Sequence, residues 1–160
     1  MTALTITQRL TEPRAAQARL ILPFELRQKS RLLGKLDTGE EVGVVLDRGV
    51  FMRGGDCLLA SDGRVIEVVA ANEQVSVVTA VDSRHLARAA YHLGNRHVSL
   101  QVGDGWLRYL HDHVLDDMVR GLGYTITIDN LPFEPEAGAY SHAGNSHRHS
   151  ILLNAHHSHG

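Results

Sequence analysis

The sequence has little of what several large protein classes require. It contains a single cysteine, Cys57, so it cannot form an internal disulfide bond. Its N-terminus lacks a positively charged segment followed by an apolar run, and no stretch approaches the length of a membrane span. We therefore expect a protein of the reducing cytoplasm that has no membrane partner.

An excess of positive charge is also missing. The formal net charge is -2 at pH 7, from 16 Lys and Arg against 18 Asp and Glu, and no basic stripe is interleaved with aromatic residues. Such a chain has no positive field with which to hold a phosphate backbone. Nucleic-acid binding is therefore not expected.

Common catalytic motifs are absent from the sequence as well. There is no His-Glu-x-x-His pair and no serine or cysteine nucleophile in a tight strand-to-helix turn. Gly54-Gly55 is a turn that lacks the following helix and lysine of a phosphate-binding loop. The sequence thus favours a protein that is not an enzyme.

Histidine, in contrast, is abundant and unevenly distributed. None of the 11 histidines precedes His85, five lie between His85 and His113, and six follow from His142 onward. This asymmetry indicates a specialised C-terminal half.

Residues 1–72 predict a small all-β domain. Turn sequences such as Asp37-Thr38-Gly39 and Ser61-Asp62-Gly63 separate short apolar or alternating segments at close intervals. Strands are expected at residues 4–10, 18–22, 32–36, 41–46, 50–52, 57–60 and 65–69. A boundary to a second domain is expected at residues 70–73.

Residues 73–140 predict a ferredoxin-like domain, with the order βαββαβ. Strands are expected at residues 75–81, 97–102, 106–111 and 124–129, and helices at 83–93 and 113–122. Asp82 or Ser83 is the expected N-cap of the first helix and Asp112 that of the second. Gly94 or Asn95 is expected to end the first helix in the left-handed conformation, so that His97 opens the next strand. The predicted apolar stripes comprise Leu86, Ala89, Ala90 and Leu93 in the first helix and Val114, Leu115, Met118, Val119 and Leu122 in the second.

Two further segments complete the chain. Residues 131–140 contain two prolines and predict an ordered crossing segment anchored by Phe133 and Tyr140. Residues 141–160 are rich in histidine, serine and glycine and predict a flexible tail that is disordered without a ligand.

Four histidines are expected at one end of the second domain: His92, His97, His111 and His113. Neutral imidazole is a common metal ligand and suits nickel, copper and zinc, so these residues predict a transition-metal site. For His111 and His113, a local role beside the Asp112 cap is equally compatible with the sequence. Capping and the helix dipole are sufficient to explain Asp112, Asp116 and Asp117.

The tail supplies a second metal signal through His142, His147, His149, His156, His157 and His159. Flexible imidazoles can capture a cation weakly and pass it on. Because a ligating imidazole must be neutral, both sites should lose metal below about pH 6.5. One firm site with a loose tail suits a metal carrier. The alternatives are a metal-dependent hydrolase that uses the His92, His97, His111 and His113 cluster to activate water, and a scaffold protein with incidental histidines.

Several motifs together resemble the urease accessory protein E (UreE) family over essentially the whole chain. In the second domain they are Tyr91-His92-Leu93-Gly94-Asn95-Arg96-His97, Leu107-Arg108-Tyr109 with Asp112-His113-Val114-Leu115, and Phe133-Glu134-Pro135-Glu136-Ala137-Gly138-Ala139-Tyr140. In the first domain they are Thr38-Gly39-Glu40-Glu41-Val42-Gly43, Arg48-Gly49 and Gly54-Gly55-Asp56.

The resemblance implies a cytoplasmic nickel metallochaperone that helps to assemble the urease active site. It implies a β-rich N-terminal domain, sometimes proposed to bind a partner peptide, and a ferredoxin-like metal-binding domain that dimerises. His97 matches the histidine that the family places at the dimer interface, where two copies share one nickel. His92, His111 and His113 match auxiliary metal-binding positions.

A two-fold axis would supply the second copy of His97, so we predict a symmetric homodimer. The partners that the resemblance implies are the urease accessory GTPase and the urease assembly complex. Ni(II) is the expected cargo, and Cu(II) or Zn(II) can bind the same sites because imidazole affinity follows the general divalent series. The tail differs from the most histidine-dense members because residues 150–154 interrupt its histidines with an apolar run.

Overall fold

The computed structural model describes residues 3–49 and 51–138. They divide into two compact units, one built mainly from residues 3–20 and 25–68 and the other from residues 21–24 and 69–136. The predicted tail and the expected anchor Tyr140 lie outside the described residues. The strands in chain order are β1 (Leu4–Arg9), β2 (Ala18–Leu22), β3 (Arg31–Lys35), β4 (Glu41–Val45), β5 (Cys57–Ala60), β6 (Val65–Ala70), β7 (Asn72–Thr79), β8 (Gln101–Gly103), β9 (Trp106–Leu110) and β10 (Thr125–Pro132). The helices are α1 (Phe24–Arg27), α2 (Ser83–Asn95) and α3 (His113–Gly121).

The first unit is built around a six-stranded sheet of order β2-β6-β5-β1-β4-β3. Strand β1 runs parallel to β4 and antiparallel to β5. Alternate side chains of the strands are buried, as in β2, where Ala18, Leu20 and Leu22 point inward. The predicted all-β architecture is confirmed.

Two local features of this part of the chain differ from the prediction. Residues 51 and 52 are not in a strand, although Met52 is fully buried and its backbone N–H donates to the Arg27 carbonyl at 3.0 Å. The short helix α1 was not predicted. A run of three apolar residues indicates that the segment is buried, but it does not indicate whether the backbone pairs with another strand.

The second unit has the predicted βαββαβ order and a four-stranded antiparallel sheet of order β10-β7-β9-β8, which confirms the ferredoxin-like architecture. Its main core joins the sheet to α2 and α3 and consists of Val78, Ala89, Leu93, Leu107, Tyr109 and Val119. On the opposite face of the sheet, Phe133 packs with Val75 and meets Phe24 edge to face, with ring centroids 5.4 Å apart. Phe133 is therefore the anchor that the sequence predicted.

Local signals fixed the ends of most elements in this unit. Asp82 caps α2, since its side chain accepts a hydrogen bond from the His85 N–H, and Gly123 follows α3 with a φ of 97°. Gly105, with a φ of 84°, lies in the predicted hairpin turn between β8 and β9. None of the helices in the described part of the chain is long and apolar enough to cross a membrane.

The end of α2 differs from the prediction. The helix runs on through Gly94 to Asn95, and the left-handed residue is His97, with a φ of 56°. The N–H groups of Arg96 and His97 donate to the carbonyls of Leu93 and Gly94 at 3.0 and 2.9 Å, so the helix closes with a tighter turn. Strand β8 starts only at Gln101. The prediction that His97 opens a strand was therefore wrong.

Candidate metal-binding site

A strand-to-helix corner places two of the predicted histidines. His111 follows β9 directly, and its backbone N–H donates to the Gln74 carbonyl at 3.0 Å. Asp112 is the N-cap of α3, as predicted, because its Oδ1 accepts hydrogen bonds from the N–H groups of Val114 and Leu115 at 2.8 and 3.2 Å. His113 is the first residue of α3 and is exposed.

The His111 ring points one nitrogen at two buried side chains. Its Nδ1 lies 3.1 Å from Ser76 Oγ and 3.0 Å from Asp116 Oδ2. The His111 side chain is 25% exposed, whereas that of Asp116 is 1% exposed and Ser76 is fully buried. The ring therefore lies between the interior of the unit and the surface.

Asp116 is bound from the other side by the Tyr109 phenol, which donates a hydrogen bond to Asp116 Oδ1 at 2.5 Å. Tyr109 is fully buried and faces Ser76 across the β7–β9 pair. Burial raises the pKa of Tyr109, and the hydrogen bond and negative charge of Asp116 raise this pKa further. The phenol therefore stays protonated and serves as a donor to the carboxylate.

The burial of Asp116 corrects the sequence analysis, which explained all three aspartates by capping and the helix dipole. That explanation holds for Asp112, and Asp117 is exposed, but Asp116 faces the core. In return, Val114 and Leu122, predicted for the apolar stripe, are 56% and 45% exposed. Tertiary packing turns α3 so that residue 116, three positions before the buried Val119, lies on the inner face.

Sequence reasoning thus missed Ser76, Tyr109 and Asp116 as companions of a candidate metal ligand. One signal was present. Asp116 lies three positions before Val119, the spacing of one helix face that can turn towards the core. The preceding strand ends in Tyr109-Leu110-His111, so two hydrogen-bonding partners, Tyr109 and His111, lie within seven residues of this acid. A buried acid needs such partners, so the pattern indicates a network as well as a cap.

The other two predicted histidines lie on and after α2. His97 is exposed in the turn that follows the helix, and so are Asn95, the last residue of the helix, and Arg96 in the turn. His92 is half-buried and its ring meets that of Tyr91 edge to face at 5.3 Å. Arg96 Nη1 lies 3.6 Å from Met118 Sδ, which joins this turn to α3.

The four histidines are not gathered into a complete site by one chain. Among residues 3–49 and 51–138, no three His, Cys, Asp or Glu side chains are grouped so that they could hold a metal ion. The six tail histidines, from His142 to His159, lie outside the described residues. Metal binding by any of these ten histidines stays a prediction.

Comparisons with known proteins cover nearly the whole chain. The family model of the N-terminal domain of the UreE urease accessory protein matches residues 4–71, and that of the C-terminal domain matches residues 73–160. The urease accessory protein UreE of Alkalilimnicola ehrlichii is 60% identical over 137 residues, which are 86% of this chain and 84% of that protein. The urease accessory protein UreE of Citrobacter koseri is 52% identical over 147 residues, or 91% and 97% of the two chains. The chain therefore belongs to the UreE family of urease accessory proteins.

Proposed function

We propose that this chain is a nickel metallochaperone that binds Ni(II) and delivers it for assembly of the urease active site. Its membership of the UreE family is the observation that carries the proposal. A member of this family is an accessory protein of urease maturation and not an enzyme. The alternative of a metal-dependent hydrolase built on His92, His97, His111 and His113 does not fit such a family.

His97 is the proposed centre of nickel binding. Its imidazole is exposed at the end of α2, where a second molecule can reach it, and a single imidazole is a poor site by itself. A two-fold axis through this surface would pair the residue with its copy in the partner of a symmetric homodimer. Tyr91, 65% exposed on the last turns of the same helix, is an apolar side chain that such a contact could cover.

Auxiliary binding is assigned to nine other histidines. His92, His111 and His113 belong to the same unit as His97, and the tail residues His142, His147, His149, His156, His157 and His159 would add weaker capture. Cu(II) and Zn(II) would compete at these positions, since imidazole does not select nickel by affinity alone.

The proposed division of labour follows the predicted domains. Residues 1–72 would contact partner proteins, residues 73–140 would bind metal and dimerise, and residues 141–160 would form the histidine-rich tail. The proposed partners are the urease accessory GTPase and the urease assembly complex, in the cytoplasm, with neither nucleic acid nor membrane involved.

Calorimetric titration of the full chain with Ni(II), with the mass in solution measured in parallel, tests this proposal. We expect one firmly bound nickel per dimer, which is lost in His97→Ala and retained in the matched control His85→Ala, a histidine in the first turn of the same helix. Removal of residues 141–160 should lower the number of metals bound and leave the firm site. Unchanged binding in His97→Ala would move the site to His111 and His113. A monomeric mass with nickel still tightly bound would rule out the shared site.

A further inference from the structure

The backbone and the ring of His111 are both held in place. The backbone N–H is fixed on Gln74, and Nδ1 faces the oxygens of Ser76 and Asp116 at 3.1 and 3.0 Å. Because Nδ1 faces two buried side chains and the His111 side chain is 25% exposed, the edge of the ring that carries Nε2 is the one left for solvent. The two ring nitrogens of His111 therefore have different environments, one internal and one external.

The chemistry of Asp116 decides which nitrogen carries the proton. An ionised carboxylate only accepts hydrogen bonds, and burying it without donors is costly. Tyr109 supplies a donor to Oδ1. Oδ2 is buried and receives no hydrogen bond of regular geometry within the described residues, and it lies 3.0 Å from His111 Nδ1. If Nδ1 carries the proton, its N–H group is attracted to Oδ2. If Nδ1 carries a lone pair instead, the lone pair and the carboxylate oxygen repel each other.

We propose that Asp116 is a positioning residue that keeps the neutral His111 ring protonated on Nδ1, so that His111 binds Ni(II) through Nε2. Tyr109 holds Asp116 in place for this task, and Ser76 Oγ is a hydrogen-bond partner of Nδ1 at 3.1 Å that can accept the same proton. The inference rests on the proposed function, because His111 is one of the proposed auxiliary ligands. A carboxylate on the far nitrogen fixes the tautomer and orientation of a ligating imidazole and makes it a better donor.

Among the four assigned histidines that the structure describes, His92, His97 and His113 have no carboxylate partner comparable to Asp116. His97 and His113 are exposed, and His92 contacts the ring of Tyr91. His111 is thus the member of these four whose metal-binding nitrogen is determined by the fold. A purely structural role of Asp116 would stabilise α3 against the sheet without determining the His111 tautomer.

The first experiment is carried out on metal-free, full-length protein with ¹⁵N-labelled histidine. Long-range ¹H–¹⁵N NMR spectra report which nitrogen of each neutral ring carries the proton. We expect His111 to be protonated on Nδ1 in the wild-type protein. In Asp116→Asn the side-chain amide can donate to Nδ1, so the proton should move to Nε2. The matched control Asp117→Asn, an exposed aspartate on the next position of α3, should retain the wild-type tautomer.

The wild-type spectrum keeps the proposal falsifiable even if Asp116→Asn folds poorly. Protonation of His111 on Nε2 in the wild type would overturn the proposal, and so would an unchanged tautomer in folded Asp116→Asn.

The second experiment titrates the same full-length proteins with Ni(II) alone. The binding step that is lost in His111→Ala should be about 10- to 100-fold weaker in Asp116→Asn and unchanged in Asp117→Asn. Equal affinity in Asp116→Asn, or a titration that His111→Ala does not alter, would overturn the role of Asp116 in metal binding. The proposed function fails separately, if the wild-type protein binds no Ni(II) firmly, whereas the His111 tautomer is measured without any metal.

Discussion

The second unit presents its candidate ligands in two different ways. At the β9–α3 corner, His111 is held by Ser76 and Asp116, and its environment is set by buried polar groups. At the end of α2, the buried Leu93 is followed by three exposed residues that lead to the exposed His97, and in the described part of the chain that histidine is held by its backbone turn. One candidate ligand is therefore oriented by the protein interior, whereas the other is left free to meet a second molecule.

The largest change in the free energy of unfolding is expected for a substitution in the buried network beside His111. Tyr109→Phe removes the phenol and leaves the buried Asp116 Oδ1 without its donor. Hydrogen bonds to charged groups contribute about 1.5–3 kcal/mol, so the free energy of unfolding should fall by about that amount. Urea denaturation measures the loss. Tyr91→Phe is the matched control, since Tyr91 is exposed. If it lowers the free energy of unfolding as much as Tyr109→Phe does, the loss comes from removing any phenol group and not from the burial of Tyr109.

A smaller effect of opposite sign is expected at the exposed site. His97 has a φ of 56°, a conformation that glycine adopts without steric cost. His97→Gly should therefore raise the free energy of unfolding by a few tenths to about 1 kcal/mol, while nickel binding at the firm site is lost.

His92→Gly provides the control for this variant. It places glycine inside α2 and should lower the stability by about 1 kcal/mol. Urea denaturation and calorimetric nickel titration of both variants check the pair. A destabilised His97→Gly would mean that the imidazole stabilises the turn, which would remove the contrast between the two histidines.

The smallest effect concerns Glu40, whose carboxylate is exposed, in contrast to the buried carboxylate of Asp116. Both oxygens of Glu40 accept hydrogen bonds from Arg64, at 2.9 and 2.7 Å, and Thr38 donates to Oε1 at 2.7 Å. These contacts, with Arg64 first, lower the pKa of Glu40 from 4.5 to about 2. Because the folded pKa is below the unfolded one, this carboxylate stabilises the protein above about pH 4.5, and the contribution is lost as the pH falls towards about 2.

Unfolding in urea across about pH 6 to pH 2 tests this exposed network. The difference in stability between the wild type and Glu40→Gln should be small, shrink below about pH 4.5 and be reduced by added salt, since exposed ion pairs are screened. A difference that persists at the lowest pH would show that Glu40 acts through something other than its charge.

Features of the fold could be predicted where they depend on neighbouring residues, and not where they depend on residues that are distant in the chain. The order of strands and helices, the Asp112 cap and the glycines at 105 and 123 depend on a few neighbouring residues, so they could be recognised in the sequence. The burial of Asp116 depends on how α3 is turned about its axis against the sheet, which leaves Val114 and Leu122 exposed on other sides of the helix. That choice is made by packing between distant residues such as Ser76 and Tyr109.

The candidate site shows the same limit. The sequence identified His111 as a histidine beside a cap, but its contact with Ser76 spans 35 positions in the chain. The left-handed conformation was predicted for the correct turn and assigned to the wrong residue, because histidine tolerates it more readily than most side chains.

If His97 holds nickel as proposed, its exposure has a consequence for the kinetics of transfer. A metal ion held by a ligand at the protein surface can be approached by an incoming donor before the old bond breaks, so the exchange passes through a crowded intermediate and not through a bare cation. Release then requires neither a lid nor partial unfolding of the carrier. Under this mechanism the rate at which nickel leaves should rise with the concentration of the acceptor, and dilution alone should remove it slowly.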